Sequence, residues 1–159
     1  MPLLLLFALI ISVFFVFFSP IRVQGPSMVP TLMPEDRVLI THGDKDPSRG
    51  DVIVLIADEN GSPIELVKRV IGLPGDIVEI KGDTAYVNGV HEPERGQMVY
   101  GRDPTYGQST KVAPGQLFVM GDNRAVSEDS RYIGTVPLSG VKGKVVAVFA
   151  PIQRMRFVH

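Results

Sequence analysis

The chain has 159 residues, a formal net charge of -1 and no cysteine. That length suits one ordinary domain with a short appendage, not two large domains. A near-neutral chain without a basic block carries no footprint for nucleic acid, and without cysteine there are no disulfides, zinc-thiolate sites or cysteine nucleophiles. The histidines, His42, His91 and His159, are scattered without metal-ligand spacing, so neither a metal nor another cofactor is expected.

From Pro2 to Phe18 every residue is apolar except Ser12. As a helix this stretch covers about 26 Å, the short end of what crosses a bilayer core of about 30 Å. A cleaved signal peptide would need a basic start and a small-x-small site after the apolar run, and neither is present. A buried core helix would show a polar face. The reading is therefore a transmembrane anchor over residues 1–20, ended by Pro20, which cannot continue the helical ladder. No Lys or Arg precedes the segment, so charge does not set its orientation.

Beyond Pro20 the texture changes to short β-branched runs separated by turn residues. Arg37–Thr41, Asp51–Ile56, Ile64–Ile71, Ile77–Lys81, Thr84–Val87, Leu117–Met120 and Gly143–Phe149 read as strands. Pro34-Glu35-Asp36, Pro74-Gly75-Asp76, Asn88-Gly89 and Pro114-Gly115 are among the turns between them. No later stretch keeps a helical period, so residues 21–159 read as a mostly β domain of coiled antiparallel sheets. Residues 92–113 are rich in Gly, Pro and polar side chains, the composition of a long loop or small lobe.

Three segments carry reactive groups. Ser27 lies between Pro26 and Pro30, which hold the backbone extended and fix the hydroxyl on a non-helical segment. In Glu65-Leu66-Val67-Lys68-Arg69-Val70-Ile71 alternation places Leu66, Lys68 and Val70 on one face and Val67, Arg69 and Ile71 on the other. If the face of Lys68 is buried, desolvation lowers an amine pKa that ordinarily sits at about 10.4, and a neutral amine can accept a proton from a serine hydroxyl. At a sheet edge the same lysine would simply keep its head in water. The third segment, Met120-Gly121-Asp122-Asn123-Arg124 through Ser127, Asp129, Ser130 and Arg131, is a dense polar loop. In it Asp122 with Arg124, or Asp129 with Arg131, stand where they can pair.

In content and order these segments resemble type I signal peptidase. Ser27-Met28-Val29-Pro30-Thr31-Leu32 is similar to that family's nucleophile box, and Arg49-Gly50-Asp51-Val52-Ile53-Val54 to its structural strand. Lys68 through Asp76 resembles its general-base box, and Gly121 through Arg131 its last box. The resemblance implies a membrane-bound serine endopeptidase that removes signal peptides from exported preproteins, with its catalytic domain on the extracytoplasmic face. It makes Ser27 the nucleophile, Lys68 the general base and Ser127 the hydroxyl that orients the amine. Asp129 and Arg131 become a supporting pair, with Gly121, Asp122 and Asn123 shaping the loop. The partners it implies are signal peptides and the lipid membrane.

One position departs from the pattern. Where some members carry an oxyanion-donating serine two residues before the nucleophile, this chain has Gly25. The Ser27 backbone N–H then remains as one donor, with the Gly25 backbone N–H or a water as candidates for the second. Val23, Met28, Leu32, Leu66 and Val67 are expected to wall shallow pockets for small side chains. Three rival readings stay open. One is another serine-lysine peptidase, such as a mitochondrial inner-membrane or pilin-processing enzyme or a self-cleaving SOS repressor domain. The others are a hydrolase pairing Ser27 with His42 or His91, and a tethered β domain that binds signal peptides without cutting them.

Overall fold

Side chains alternate across a strand, and wherever one face can be covered the alternation becomes a burial pattern. In β2 (Arg37–Thr41) Val38 and Ile40 are buried while Arg37 stays exposed. The computed structural model describes residues 2–42, 46–59, 61–82, 84–93, 107 and 109–158. Around β2 the chain runs as α1 (Pro2–Phe17), β1 (Phe18–Arg22), β3 (Val52–Glu59), β4 (Ser62–Gly72), β5 (Ile77–Lys81), β6 (Thr84–Val87) and β7 (Val90–His91). It continues as β8 (Ser109–Lys111), β9 (Gln116–Met120), a single helical turn α2 (Ser130–Ile133), β10 (Val136–Pro137), β11 (Val141–Ala150) and β12 (Arg156–Phe157).

Eight strands form one sheet in the order β1-β2-β11-β3-β4-β9-β10, with β12 on β11; the other four form a second sheet, β7-β6-β5-β8. Every pairing is antiparallel. The mostly antiparallel β class read from the sequence is what the chain adopts. Each of the seven sequence-predicted strands is present, shifted at its ends by a few residues at most. The small-lobe reading of 92–113 falls largely outside the described residues; within it, β8 pairs with β5 in the second sheet.

One short-range expectation needs correction. The apolar helix ends at Phe17, not at Pro20, because Phe18 through Arg22 leave it to pair with Thr41 through Arg37. Pro20 is tolerated there because β1 is the edge of the sheet, where a missing N–H forfeits no ladder bond. At 16 residues α1 is about 24 Å long. Among the described residues no helix is long and apolar enough to cross a membrane. Leu3, Leu4, Leu5 and Val16 of α1 are nevertheless each more than 65% exposed.

Three apolar clusters hold the sheets. Val23, Met28, Leu32, Val38, Ile40, Val145 and Val148 form the first, and Ile53, Leu55, Val70, Leu117 and Val119 belong to the second. The third joins the sheets: Ile71, Phe118 and Met120 of the large one pack on Val78, Ile80, Ala85 and Val87 of the small one. A fully buried side chain of this size contributes about 1.5–3 kcal/mol. Phe118→Ala is expected to lower stability by about 3–5 kcal/mol. Amide exchange should accelerate more in β5 and β6 than in β3, read by native-state hydrogen exchange.

Candidate active site

β4 runs through the middle of the large sheet, and its two neighbours cover it unequally. β3 pairs with it from Ser62 to Arg69, whereas β9 pairs with it only from Arg69 to Gly72. Residues 62–67 of β4 therefore keep a free edge on the β9 side among the described residues. The last part of the strand is buried on both faces. Two adjacent cations, Lys68 and Arg69, thus leave water together, 3% and 2% exposed, pointing to opposite faces.

Arg69 remains charged because it is matched. Its guanidinium donates to Asp122 from Nε (2.8 Å) and Nη2 (2.6 Å), and Nη1 donates to the Gly50 carbonyl at 2.6 Å. The Thr31 hydroxyl donates to the same Asp122 carboxylate. This buried pair ties the serine segment, the strand after Gly50, β4 and the loop after β9 to one another. Of the two pairings the sequence leaves open in that loop, Asp122 with Arg124 or Asp129 with Arg131, the Asp122 carboxylate is taken by Arg69, and Arg124 donates from Nε to the Gly121 carbonyl at 3.0 Å. Thr31 and Arg69 were not singled out as site residues. The available signal was that Arg69 alternates with Val67 and Ile71 and so shares a core-facing side that demands a counter-charge.

Lys68 has no such match. Among the described residues no hydrogen bond or ion pair reaches its amine, and burial lowers its pKa; Asp129 and Glu128 oppose that shift and Arg131 adds to it. Asp129 is already engaged: it accepts from Arg131 Nε (2.9 Å) and Nη2 (3.1 Å) and from the Gly121 backbone N–H (2.9 Å). Both side chains of that pair are fully buried. The expected Asp129–Arg131 neighbours therefore form a closed pair whose carboxylate acts on the lysine through its charge and makes no ion pair with it. Arg131 also donates to the Arg124 carbonyl at 2.7 Å, and Ser130 Oγ accepts from the Val119 N–H at 2.9 Å, which pins the loop to β9.

Ser27 sits in the turn that follows Val23, and the loop after β9 clips that turn in place. The Asn123 backbone N–H donates to the Ser27 carbonyl at 2.9 Å, and Asn123 Nδ2 donates to the Pro26 carbonyl at 3.3 Å. Gly121 is glycine by necessity, since a Cβ there would lie 2.2 Å from Ser127 Oγ and 2.5 Å from the Ser27 carbonyl oxygen. The Ser127 hydroxyl is buried without a hydrogen-bond partner. Ser27 and Lys68 line one cavity of about 150 Å³ together with Ile21, Gln24, Leu66 and Val67.

The other sequence-selected residues separate. Leu66 and Val67 line that cavity, but Val23, Met28 and Leu32 do not: each is at most 1% exposed, inside the core cluster against which Val67 packs. Their apolar side chains gain more by joining Val38 and Ile40 than by facing a cleft. Gly25 is exposed at a φ of 73°, and a Cβ there would meet nothing within 4 Å, so its backbone conformation, not space, suits glycine. His42 bonds Ser19 Oγ at 2.6 Å and His91 packs on Tyr86. Neither histidine lines the serine cavity.

The fold is thus an antiparallel β enzyme framework holding a serine and a dry lysine in one cleft. Residues 1–150 match the family described as signal peptidase, peptidase S26. Signal peptidase I U of Bacillus subtilis is 37% identical over 167 residues, covering 98% of this chain and 88% of that protein. Signal peptidase IB of Staphylococcus aureus is 36% identical over 158 residues, covering 87% of this chain and 81% of that one. A crystal structure of a signal peptidase I from Enterococcus faecalis, 34% identical, covers 62% of this chain and 96% of its own, with a TM-score of 0.48. This chain belongs to the signal peptidase family, peptidase S26, and is a peptidase.

The lowered pKa of Lys68 has a consequence for stability. The unfolded chain, with an ordinary lysine, binds more protons than the folded one between the lowered and the ordinary value. Burial of the ammonium therefore destabilises the fold fully below the lowered pKa, and the penalty fades as pH rises towards 10.5. Lys68→Met is expected to raise the melting temperature at neutral pH, with the gain shrinking in alkaline buffer, as thermal melts across pH would show.

Proposed function

We propose that this chain removes signal peptides from exported preproteins at a membrane, with Ser27 as nucleophile and Lys68 as general base. The observation that carries the reading is the pairing of an unmatched, buried amine with Ser27 in one cavity beside a free strand edge. An extended peptide adds to that edge along residues 64–67, and its main chain takes up the unpaired groups of β4. Leu66 and Val67, backed by the packed core, leave room only for small side chains just before the scissile bond. This is the small-x-small pattern expected of the substrate.

Ser27 Oγ attacks the carbonyl carbon as its proton passes to the neutral Lys68 Nζ, forming an ammonium and a tetrahedral oxyanion. The Ser27 N–H donates to that oxyanion, with the Gly25 N–H or a water as the second donor. The ammonium returns its proton to the leaving nitrogen as the C–N bond breaks, leaving an acyl-enzyme and a new N-terminus. Lys68 then deprotonates a water, which attacks the ester and frees Ser27. The Ser127 hydroxyl, without a partner in the free enzyme, accepts from the amine once substrate is bound and holds it towards Ser27, and the Asp129–Arg131 and Asn123 contacts hold the loop that carries it.

α1 supports attachment to the membrane. Its exposed apolar surface continues directly into β1, so the cleft stands at a set distance from the lipid, on the extracytoplasmic face where preproteins emerge. A helix shorter than the hydrocarbon core seats itself in a locally thinned bilayer. Holding enzyme and substrate in one plane raises their effective concentration.

In detergent or lipid with a preprotein bearing an Ala-x-Ala site, Ser27→Ala and Lys68→Ala are each expected to reduce cleavage by about 10⁴-fold. Cleavage surviving either change refutes the dyad. For the wild type, kcat/KM should rise with pH as the Lys68 ammonium loses its proton, with a midpoint below the ordinary lysine value of 10.5. A profile flat up to that value would show that the lysine does not act as the base.

A further inference from the structure

The free edge of β4 ends abruptly. From Arg69 onward β9 occupies it, and the chain leaves β9 at Met120 into the loop that holds Gly121 and Ser127. A peptide paired along residues 64–67 therefore cannot continue in the sheet past Lys68. Its downstream part has to bend out over the loop.

That loop contains a second cavity, of about 230 Å³, lined by Ala125, Val126, Ser127, Glu128 and Tyr132. Ser127 joins it to the reaction centre, since its hydroxyl and the Ser27 carbonyl crowd the same point above Gly121. Val126 and Tyr132 are 56% and 47% exposed, a partly apolar surface at the mouth of a polar site. Of the cavity's lining residues only Glu128 carries a formal charge, and it is exposed. The nearby acids Asp129 and Asp122 are committed to Arg131 and Arg69. Glu128 lies close enough to Lys68 for its charge to act on the amine.

We propose that this cavity is the subsite for the substrate residues immediately after the scissile bond, and that Glu128 makes it select against acidic and for basic side chains there. The inference rests on the serine-lysine reading of the cleft, because that reading places the residues before the bond beside Leu66 and Val67. A carboxylate beside the exit suits the cationic new N-terminus, which leaves through the same space as the C–N bond breaks.

The test uses the full chain in detergent and peptides with one Ala-x-Ala site, varied to Lys, Gln or Glu at the first or second position after the cut. In the wild type kcat/KM is expected to favour Lys over Glu by about five-fold, the scale of one partly exposed charge contact. Glu128→Gln should bring the ratio close to one, Glu128→Lys should invert it and Glu128→Asp should retain it. Any effect of residue 128 on the amine changes all peptides alike and cancels in the ratio. A Lys-to-Glu ratio indifferent to residue 128, with cleavage still abolished by Ser27→Ala, overturns the subsite and leaves the dyad standing. No cleavage of the reference peptide, or cleavage undiminished in Ser27→Ala, overturns both.

Discussion

The structure turns on the different treatment of two neighbouring cations. Lys68 and Arg69 follow one another in β4, and both are withdrawn from water. A buried charge without a partner is heavily penalised, whereas a paired and hydrogen-bonded one is tolerated. Arg69 receives Asp122, the Gly50 carbonyl and, through the shared carboxylate, Thr31. Lys68 receives nothing comparable, so its ammonium is the form that suffers. Strand alternation sets the contrast, because it sends the two side chains to different faces of one sheet.

Buried ion pairs are weak sources of net stability, but breaking one strands a charge and is strongly destabilising. The Arg69–Asp122 and Asp129–Arg131 pairs therefore act as registers. The first locks the serine turn, β4 and the loop after β9 into one arrangement. The second fixes that loop internally and engages the carboxylate that would otherwise be free to pair with the lysine and favour its ammonium form. Asn123 completes the assembly by holding the carbonyls of Pro26 and Ser27. Several short contacts thus fix the Ser27 turn against the loop that carries Ser127.

Membership of the signal peptidase family accounts for the order of these segments, while this chain's residues show how they are assembled. Gly25 illustrates the point. Its left-handed backbone turns the chain ahead of Ser27, a conformation that a serine at that position would strain.

Most of the strands were legible in the sequence, because alternating β-branched residues between turn formers leave few alternatives. Ser27, Lys68 and the polar loop were legible as a set through their order, though not as a geometry. β1 was hidden because it begins in the last residue of the apolar run and carries Ser19 and Pro20, which read as a helix stop, and the shortest strands carry too few residues for any period. Assigning Val23, Met28 and Leu32 to a pocket wall failed because an apolar residue reads the same whether it faces a cleft or a core. By itself the sequence determined the β class and which face of β4 each cation takes, since both follow from local periodicity. Only the tertiary structure decided which cation is paired, because Asp122 and Asp129 reach their partners through long-range packing that no local pattern encodes.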